Sequence, residues 1–418
     1  MKKATIVLIA LSMFLVTGCG SSNHKEELTE LAKYVYEVDE YTELDYDAAD
    51  EFYAESNENW GGGCSAISKM IDGHRIVGRN MDQSISHKCA YIIRTDAGKY
   101  RTFGVAYTHR DYSPDYEDVS KNGLTDEVYK VLPFMCDDVL NDAGLHIEIN
   151  MRHGEYWTNG EDKFACKGTN PESSDRVYMF ELPRYIGENC ATVAEAKEYV
   201  KTLDVYSQNH YWNYCFLVSD SEGNSSLLEF SSNEIYWIDE DDLDKCDWLK
   251  VYNPKAIAQT NFYLNESAWY SQDTKSGEGR YIALQKGIDN VKSREDMYDL
   301  MKKVQYSSYY IGYDKCKAKH FDPRSEVIGE VPWAQYDLVM NPLFESEVKR
   351  MIDEYTVEVR DMTREEKREK NEYWESIFTE VVDVDKQEMF LRIYENEDLL
   401  YIINFDGTTK IDSIKDWK

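Results

Sequence analysis

Three consecutive glycines, Gly61-Gly62-Gly63, run straight into a cysteine, Cys64, and divide this chain into two unlike parts. Three glycines in a row cannot be held in a helix, and they admit backbone conformations closed to other residues. An element must end before them and a new one must start after them. On the N-terminal side, residues 24–58 are rich in Glu and Asp and carry only two lysines, Lys25 and Lys33. Leu28, Leu31, Val35 and Val38 recur there at helical spacing, with Tyr34, Tyr41 and Tyr46 interleaved, so the spacing predicts an acidic helical segment.

Beyond Gly63 the pattern changes to paired strands. Cys64–Met70 has strand character, Asp72-Gly73 is a hairpin turn signal, and Arg75–Asp82 reads as the returning strand. Ala90–Arg94 and Tyr100–Tyr107 form a second pair, Gly144–Met151 a single strand, and Tyr214–Val218 with Ser225–Phe230 a third pair. Thr192–Leu203 is a helix, with Thr192 as N-cap and Glu195 at the third position. Glu278–Ile288 and Ser293–Val304 also read as helices. Met351–Ile377 reads as a long charged helix with a solvated face, in a stretch over 345–378 that the resemblance described below marks as an insertion, and Met389–Asn404 as two closing strands. Strand pairs alternating with helices predict an α+β domain over 64–418, antiparallel sheets covered by helical layers.

The first residues read as an address. Met1-Lys2-Lys3 is basic, Ala4–Val16 is an apolar run too short to span a membrane comfortably, and Val16-Thr17-Gly18-Cys19 resembles a bacterial lipobox. The expectation is a lipoprotein signal peptide over 1–18, lipid on Cys19, and an acidic helical tether or propeptide over 19–63. The protein would then sit in the cell envelope, outside the cytoplasm, held to the membrane by its lipid. Lys and Arg number 47 against 79 Asp and Glu, a net charge of −32. A surface that acidic repels phosphate backbones, which argues against nucleic-acid binding. Of the nine cysteines, none forms a Cys-x-x-Cys pair or a Cys/His set with zinc spacing, so no structural metal is expected. Most read as small buried hydrophobes.

Polar residues stand in or beside strands where a core would take apolar side chains: Cys64, Arg79, Asp82, Asn150 and Asn261. A hairpin joining Cys64 to Arg79 and Asp82 could set a cation and a carboxylate around the thiol. A nearby cation favours thiolate, and a carboxylate can orient an amine. On spacing alone, a structural Arg79–Asp82 ion pair beside an inert thiol explains the same residues more simply.

The motifs themselves carry a resemblance. Gly-Gly-Gly-Cys64-Ser-Ala-Ile, followed by a hairpin ending in Gly78-Arg79-Asn80-Met81-Asp82, is similar to the opening of N-terminal-nucleophile hydrolases of the choloylglycine hydrolase type. That group covers linear-amide hydrolases, among them bile salt hydrolases and penicillin V acylases, with related acid-ceramidase and acyl-transferase branches. Asn141-Asp142-Ala143-Gly144-Leu145 leading to Asn150 resembles a further family segment, as do Gln259-Thr260-Asn261-Phe262 and Ser276-Gly277-Glu278-Gly279-Arg280-Tyr281. The match runs in order over about 64–310; Asp142 stands where the family usually has Glu. The resemblance implies a four-layer αββα sandwich and hydrolysis of a linear, non-peptide amide through a thioester on Cys64. It implies Cys64 as nucleophile with its own freed α-amine as base, Asp82 holding that amine, and Arg79 and Arg280 stabilising charge. Asn150 and Asn261 would serve as oxyanion donors, with no metal or organic cofactor needed and a small-molecule amide as partner. Cys64 is internal, so this chemistry requires cleavage of Gly63–Cys64. The lipid would then sit on a short fragment held to the domain without a covalent link, and the catalytic piece would be partly shed.

Two other readings remain open: a dipeptidase of the same nucleophile class, and a solute-binding lipoprotein that performs no chemistry. His109, His146, His153, His210 and His320 show no spacing pattern, and the Tyr/Trp-rich stretches 205–214 and 263–270 read mostly as core and surface.

Overall fold

The computed structural model describes residues 23–55, 63–84, 87–107, 114–152, 164–207, 213–272, 275, 277–305, 309–313, 356–361, 363 and 374–417. The signal segment, Cys19, Gly61, Gly62, Ser276 and most of the 345–378 stretch lie outside the described residues, as do Cys316 and every histidine singled out above except His146.

Two sheets make the frame. The larger has nine strands in the spatial order 234–239, 225–231, 213–220, 145–152, 138–141, 102–107, 90–95, 35–41 and 28–32. The smaller has seven, ordered 257–259, 63–71, 74–84, 374–383, 388–393, 399–403 and 410–413, and is antiparallel throughout. Alternation along each strand sorts side chains between its two faces. Ile92, Phe103, Val105, Leu140, Leu217 and Leu227 of the larger sheet form one core with Ala66, Val77, Phe378 and Val382 of the smaller. The opposite face of the larger sheet, with Tyr91, Ile93, Ile147 and Phe216, is covered by helices Tyr46–Glu55, Asp126–Val131, Leu182–Asn189 and Val193–Val200. Helices Glu278–Gly287 and Arg294–Lys302 cover the outer face of the smaller sheet. The result is the αββα sandwich expected from the resemblance.

Gly78 explains how one helix layer comes so close. A Cβ there would lie 2.8 Å from the Cγ atoms of both Met297 and Met301, so only glycine lets the Arg294–Lys302 helix seat on the strand. The helix starts where the sequence indicates, its Ser293 hydroxyl accepting from Asp296 N at 3.1 Å. Thr192 caps Val193–Val200 in the same way, accepting from Glu195 N.

Two expectations are corrected. Residues 28–41 are not a helix but the antiparallel strands Leu28–Ala32 and Val35–Tyr41. Tyr34, at φ 69°, makes the reversal between them, and Leu28 pairs across the hairpin with Val38. The three-residue spacing that mimics a helix is a coincidence of hairpin register; pairing of Val35–Tyr41 with Ala90–Thr95, the one parallel contact in this sheet, overrides local propensity. The long charged helix at 351–377 also fails: Thr356–Asp361 and the start of Trp374–Asp383 are strands. The latter lies between two other strands, with Ile377, Phe378, Val381 and Val382 all buried, so it lacks the clean alternation that marks a half-exposed strand. The seven cysteines within the described residues are buried and free, in keeping with the small-hydrophobe reading. Among the described residues no helix is long and apolar enough to cross a membrane.

Candidate active site

The hairpin fixes the first part of the site. Cys64 pairs with Met81, Ala66 with Arg79, and Gly63 with Asp82. Cys64, Arg79 and Met81 therefore face the space between the sheets, whereas Asp82 faces the outer helices. Cys64 Sγ lies 3.4 Å from Met81 Sδ, and Arg79 Nη2 lies 3.7 Å from the same sulfur.

The main chain of Cys64 is gripped from the helical side. Its amide donates to Asn261 Oδ1 at 3.3 Å, and its carbonyl accepts from Arg280 Nη1 at 2.7 Å. Arg280 also reaches Asp82 Oδ2 at 3.1 Å and Asn261 Oδ1 at 2.5 Å. One fully buried guanidinium thus ties together three of the residues singled out in the sequence. Gly277 positions it: its φ of +82° is open to few other residues, and a Cβ would meet the Thr260 side chain at 2.7 Å. Asp82 takes a further 2.5 Å bond from the Ser376 hydroxyl, and Asn261 donates to Met151 O at 2.7 Å.

Arg79 is held from the other sheet. Its Nε donates to Glu148 Oε2 at 3.0 Å, Nη1 to Asp138 Oδ2 at 3.3 Å and Nη2 to Ile149 O at 2.9 Å, with the Phe378 ring 5.2 Å away. Glu148 also accepts from Gln259 Nε2. Asn150, two residues on and so on the same strand face, belongs to this cluster. With its amide oriented so that nitrogen donates, it bonds Glu148 Oε2 at 3.0 Å and Ile149 O at 3.1 Å. In this state its two protons point at protein acceptors rather than into open space.

The electrostatics follow from burial. Desolvation pushes the Cys64 thiol up to about 12; Arg79 pulls it back, while Asp82, Asp137 and Glu148 add to the rise. The thiol is therefore neutral at pH 7. Burial alone would lower the pKa of Arg79, but the facing Cys64, Glu380, Glu148 and Asp137 outweigh it, and the guanidinium stays cationic. Burial lifts Asp137 and Glu148 to about 7 and Asp138 to about 6, with Arg79 opposing each. Glu380, directly across from Arg79 in the register, is pushed well above the carboxylate range by burial and then by Asp138.

All six residues singled out in the sequence thus fall in two adjoining knots: Asp82, Asn261 and Arg280 around the Cys64 main chain, and Arg79 with Asn150 on the side of its thiol. Sequence reading missed Glu148, Gln259 and Ser376. Glu148 was within reach, since His146, Glu148 and Asn150 put alternate polar residues on one face of a strand. Ser376 was not, because the stretch around it reads as helix. Of the two aromatic stretches, Tyr214, Tyr263 and Trp269 are buried and Tyr270 is exposed, while Tyr211 and Trp212 lie outside the described residues.

A family model described as acyl-coenzyme A:6-aminopenicillanic acid acyl-transferase matches residues 71–322. No curated protein matches the chain. Similar solved structures include a variant of conjugated bile acid hydrolase from Clostridium perfringens, 14% identical, covering 84% of this chain and 97% of its own, with a TM-score of 0.41. Penicillin V acylase from Agrobacterium tumefaciens is 10% identical, covering 83% and 90%, with a TM-score of 0.45.

Proposed function

The chain belongs to the acyl-coenzyme A:6-aminopenicillanic acid acyl-transferase family, and we propose that it breaks a linear amide by acyl transfer to Cys64. The observation that carries this reading is the double grip on the Cys64 main chain, its amide on Asn261 Oδ1 and its carbonyl on Arg280. A structural cysteine needs no such hold. A residue whose nitrogen must become a positioned amine does.

The first step is cleavage of the chain itself. The Cys64 thiol attacks the Gly63 carbonyl, the acyl group moves from nitrogen to sulfur, and water hydrolyses the resulting thioester. This leaves a Gly63 carboxylate and a Cys64 α-amine, a base that titrates near neutrality beside the thiol. That amine supplies what the buried thiol lacks. In turnover it takes the thiol proton as sulfur attacks the substrate carbonyl, and gives it to the departing amine as the C–N bond breaks. Water, or an acceptor amine, then attacks the thioester and restores the thiol. Asp82, coupled through Arg280 to Asn261, fixes the amine's surroundings, and Arg79 offsets negative charge on sulfur. Asn261 and Asn150 donate to the oxyanion, Asn150 after giving up a present partner; a donor of this kind is worth ~3 kcal/mol. The reaction uses no metal or organic cofactor. The lipobox ending at Cys19 would hold the protein at the outer face of the cell membrane by its lipid.

The test is intact-mass analysis with N-terminal sequencing of wild type and Cys64→Ala. Turnover of penicillin V, a conjugated bile acid and an N-acyl p-nitroanilide is then assayed, with and without 6-aminopenicillanic acid as acceptor. Wild type should begin at Cys64 and release amine from at least one of these; Cys64→Ala should stay uncut and inactive. An uncut wild type with full activity would remove the mechanism.

A further inference from the structure

The reading above leaves Glu148 without a task, although it touches more of the site than any other carboxylate in the inter-sheet space. It is fully buried on the strand Leu145–Arg152 and touches no solvent. One oxygen takes Arg79 Nε at 3.0 Å and the Asn150 amide at 3.0 Å; the other takes Gln259 Nε2 from the strand that leads to Asn261. A buried carboxylate with three good donors is a rigid anchor, because each lost bond would strand a polar group away from water. We propose that Glu148 is a positioning residue for acyl transfer: it holds Arg79 away from full contact with the Cys64 sulfur, and by keeping one Asn150 proton and Gln259 it fixes Asn150 and the Asn261 strand so that the second Asn150 proton can turn from Ile149 O to the reacting carbonyl.

This rests on Cys64 being the nucleophile. The charged and titratable groups facing Glu148 come from every neighbouring strand: Arg79 on His74–Ser84, Asp138 on Asp138–Asn141 with Asp137 just before it, Glu380 on Trp374–Asp383, Cys64 on Gly63–Ile71 and Cys215 on Asn213–Asp220. Arg79 is the cation that Cys64 and these facing carboxylates share. With Glu148 ionised, part of the guanidinium's field is spent on it. Removing that charge leaves more of the field for the sulfur while the donors lose their anchor. Thiol acidity and catalytic power are therefore expected to move in opposite directions, which loosened packing would not produce.

The experiment compares wild type, Glu148→Gln and Glu148→Asp in the full chain. It measures the pH dependence of Cys64 alkylation by iodoacetamide, scored by peptide mass, and kcat and KM on an N-acyl p-nitroanilide. Glu148→Gln should move the alkylation profile to lower pH, while kcat falls ~10-fold or more and KM stays within ~2-fold, the mark of an interaction felt in the transition state. Glu148→Asp keeps the charge but retracts it by one methylene; its alkylation profile should match wild type and its kcat should still fall. Wild-type kcat in either variant overturns the proposal. So does a parallel loss of alkylation and turnover, or a Glu148→Gln chain that cannot fold, since each assigns the carboxylate to the fold alone. Cys64→Ala is the control: activity surviving there sinks the nucleophile itself, whereas an inactive Cys64→Ala beside a fully active Glu148→Gln sinks only the role of Glu148.

Discussion

Arg280 donates from Nη1 to the carbonyl oxygen of Cys64 at 2.7 Å, on the helical side of the strand, while the Cys64 sulfur lies 3.4 Å from Met81 Sδ between the sheets. Handling of the backbone and handling of the thiol are thus divided between the two faces of one strand. Variants on the two faces should fail differently.

Arg280→Lys tests the backbone side. A lysine keeps the charge but cannot reach Cys64 O, Asp82 and Asn261 together from one planar fork. Gel analysis of purified protein should show Gly63–Cys64 left largely intact, and turnover should fall ~100-fold or more. Normal cleavage and activity would mean that the fork is only structural.

Gly277→Ala should disturb the same knot from a distance. The substitution forces a side chain into a left-handed conformation, costing ~1–2 kcal/mol, and pushes it against Thr260, next to Asn261. Thermal melts should show Tm lower by a few degrees, and the loss of kcat should exceed any change in KM. An unchanged Tm would show that the loop before the helix absorbs the clash.

After cleavage the N-terminal piece should stay with the enzyme, against the shedding expected from the sequence. Val35–Tyr41 is an interior strand of the larger sheet, and Val35, Tyr36, Val38, Phe52 and Tyr53 are buried. Glu37 accepts from Arg94 Nε at 2.8 Å and from Thr409 Oγ1 at 2.8 Å. Five such side chains contribute on the order of 10 kcal/mol before ordering costs. Size-exclusion chromatography should return both pieces in one peak, separating only in denaturant; a catalytic piece that elutes alone under native conditions would contradict this.

Stability should decline as pH rises from about 4.5 to 8. Asp138, Asp137, Glu148 and Glu181 have folded-state pKa values lifted by burial to about 6, 7, 7 and 8. The folded chain therefore holds more protons than the unfolded chain in this window, and its stability falls with pH. Exposed carboxylates with lowered pKa, such as Asp126 and Asp289, act in the opposite sense only below ordinary carboxylate values and are screened by solvent; buried His146, lowered to about 3, opposes the trend up to about pH 6.5 but is one group against four. Tm measured at pH 5 and pH 8 should be higher at pH 5, with a smaller difference in Glu148→Gln. A higher Tm at pH 8 would show that these acids are ionised in the fold.

The hairpin from Cys64 to Asp82 was legible in the sequence because everything that makes it is local: a glycine break, an Asp-Gly turn and two strands of matching length. The helix starts at Thr192 and Ser293 were legible for the same reason. Asn150, Asn261 and Arg280 could be picked out by motif, but nothing in their spacing says that Arg280 turns to the Cys64 backbone or that Asn150 is spoken for by Glu148. Those facts depend on which strands become neighbours across hundreds of residues, as when Ser376 is brought against Asp82. Tertiary structure alone decided that 28–41 forms strands and not a helix, because pairing with 90–95 outweighs a weak local pattern. It alone decided that 374–383 is a central strand, since burial on both faces erases the alternation by which strands are read. The four buried carboxylates around Arg79, Asp137, Asp138, Glu148 and Glu380, belong to the same class: each is an ordinary acidic residue in the chain, and only the closing of two sheets takes them out of water and gathers them around Arg79.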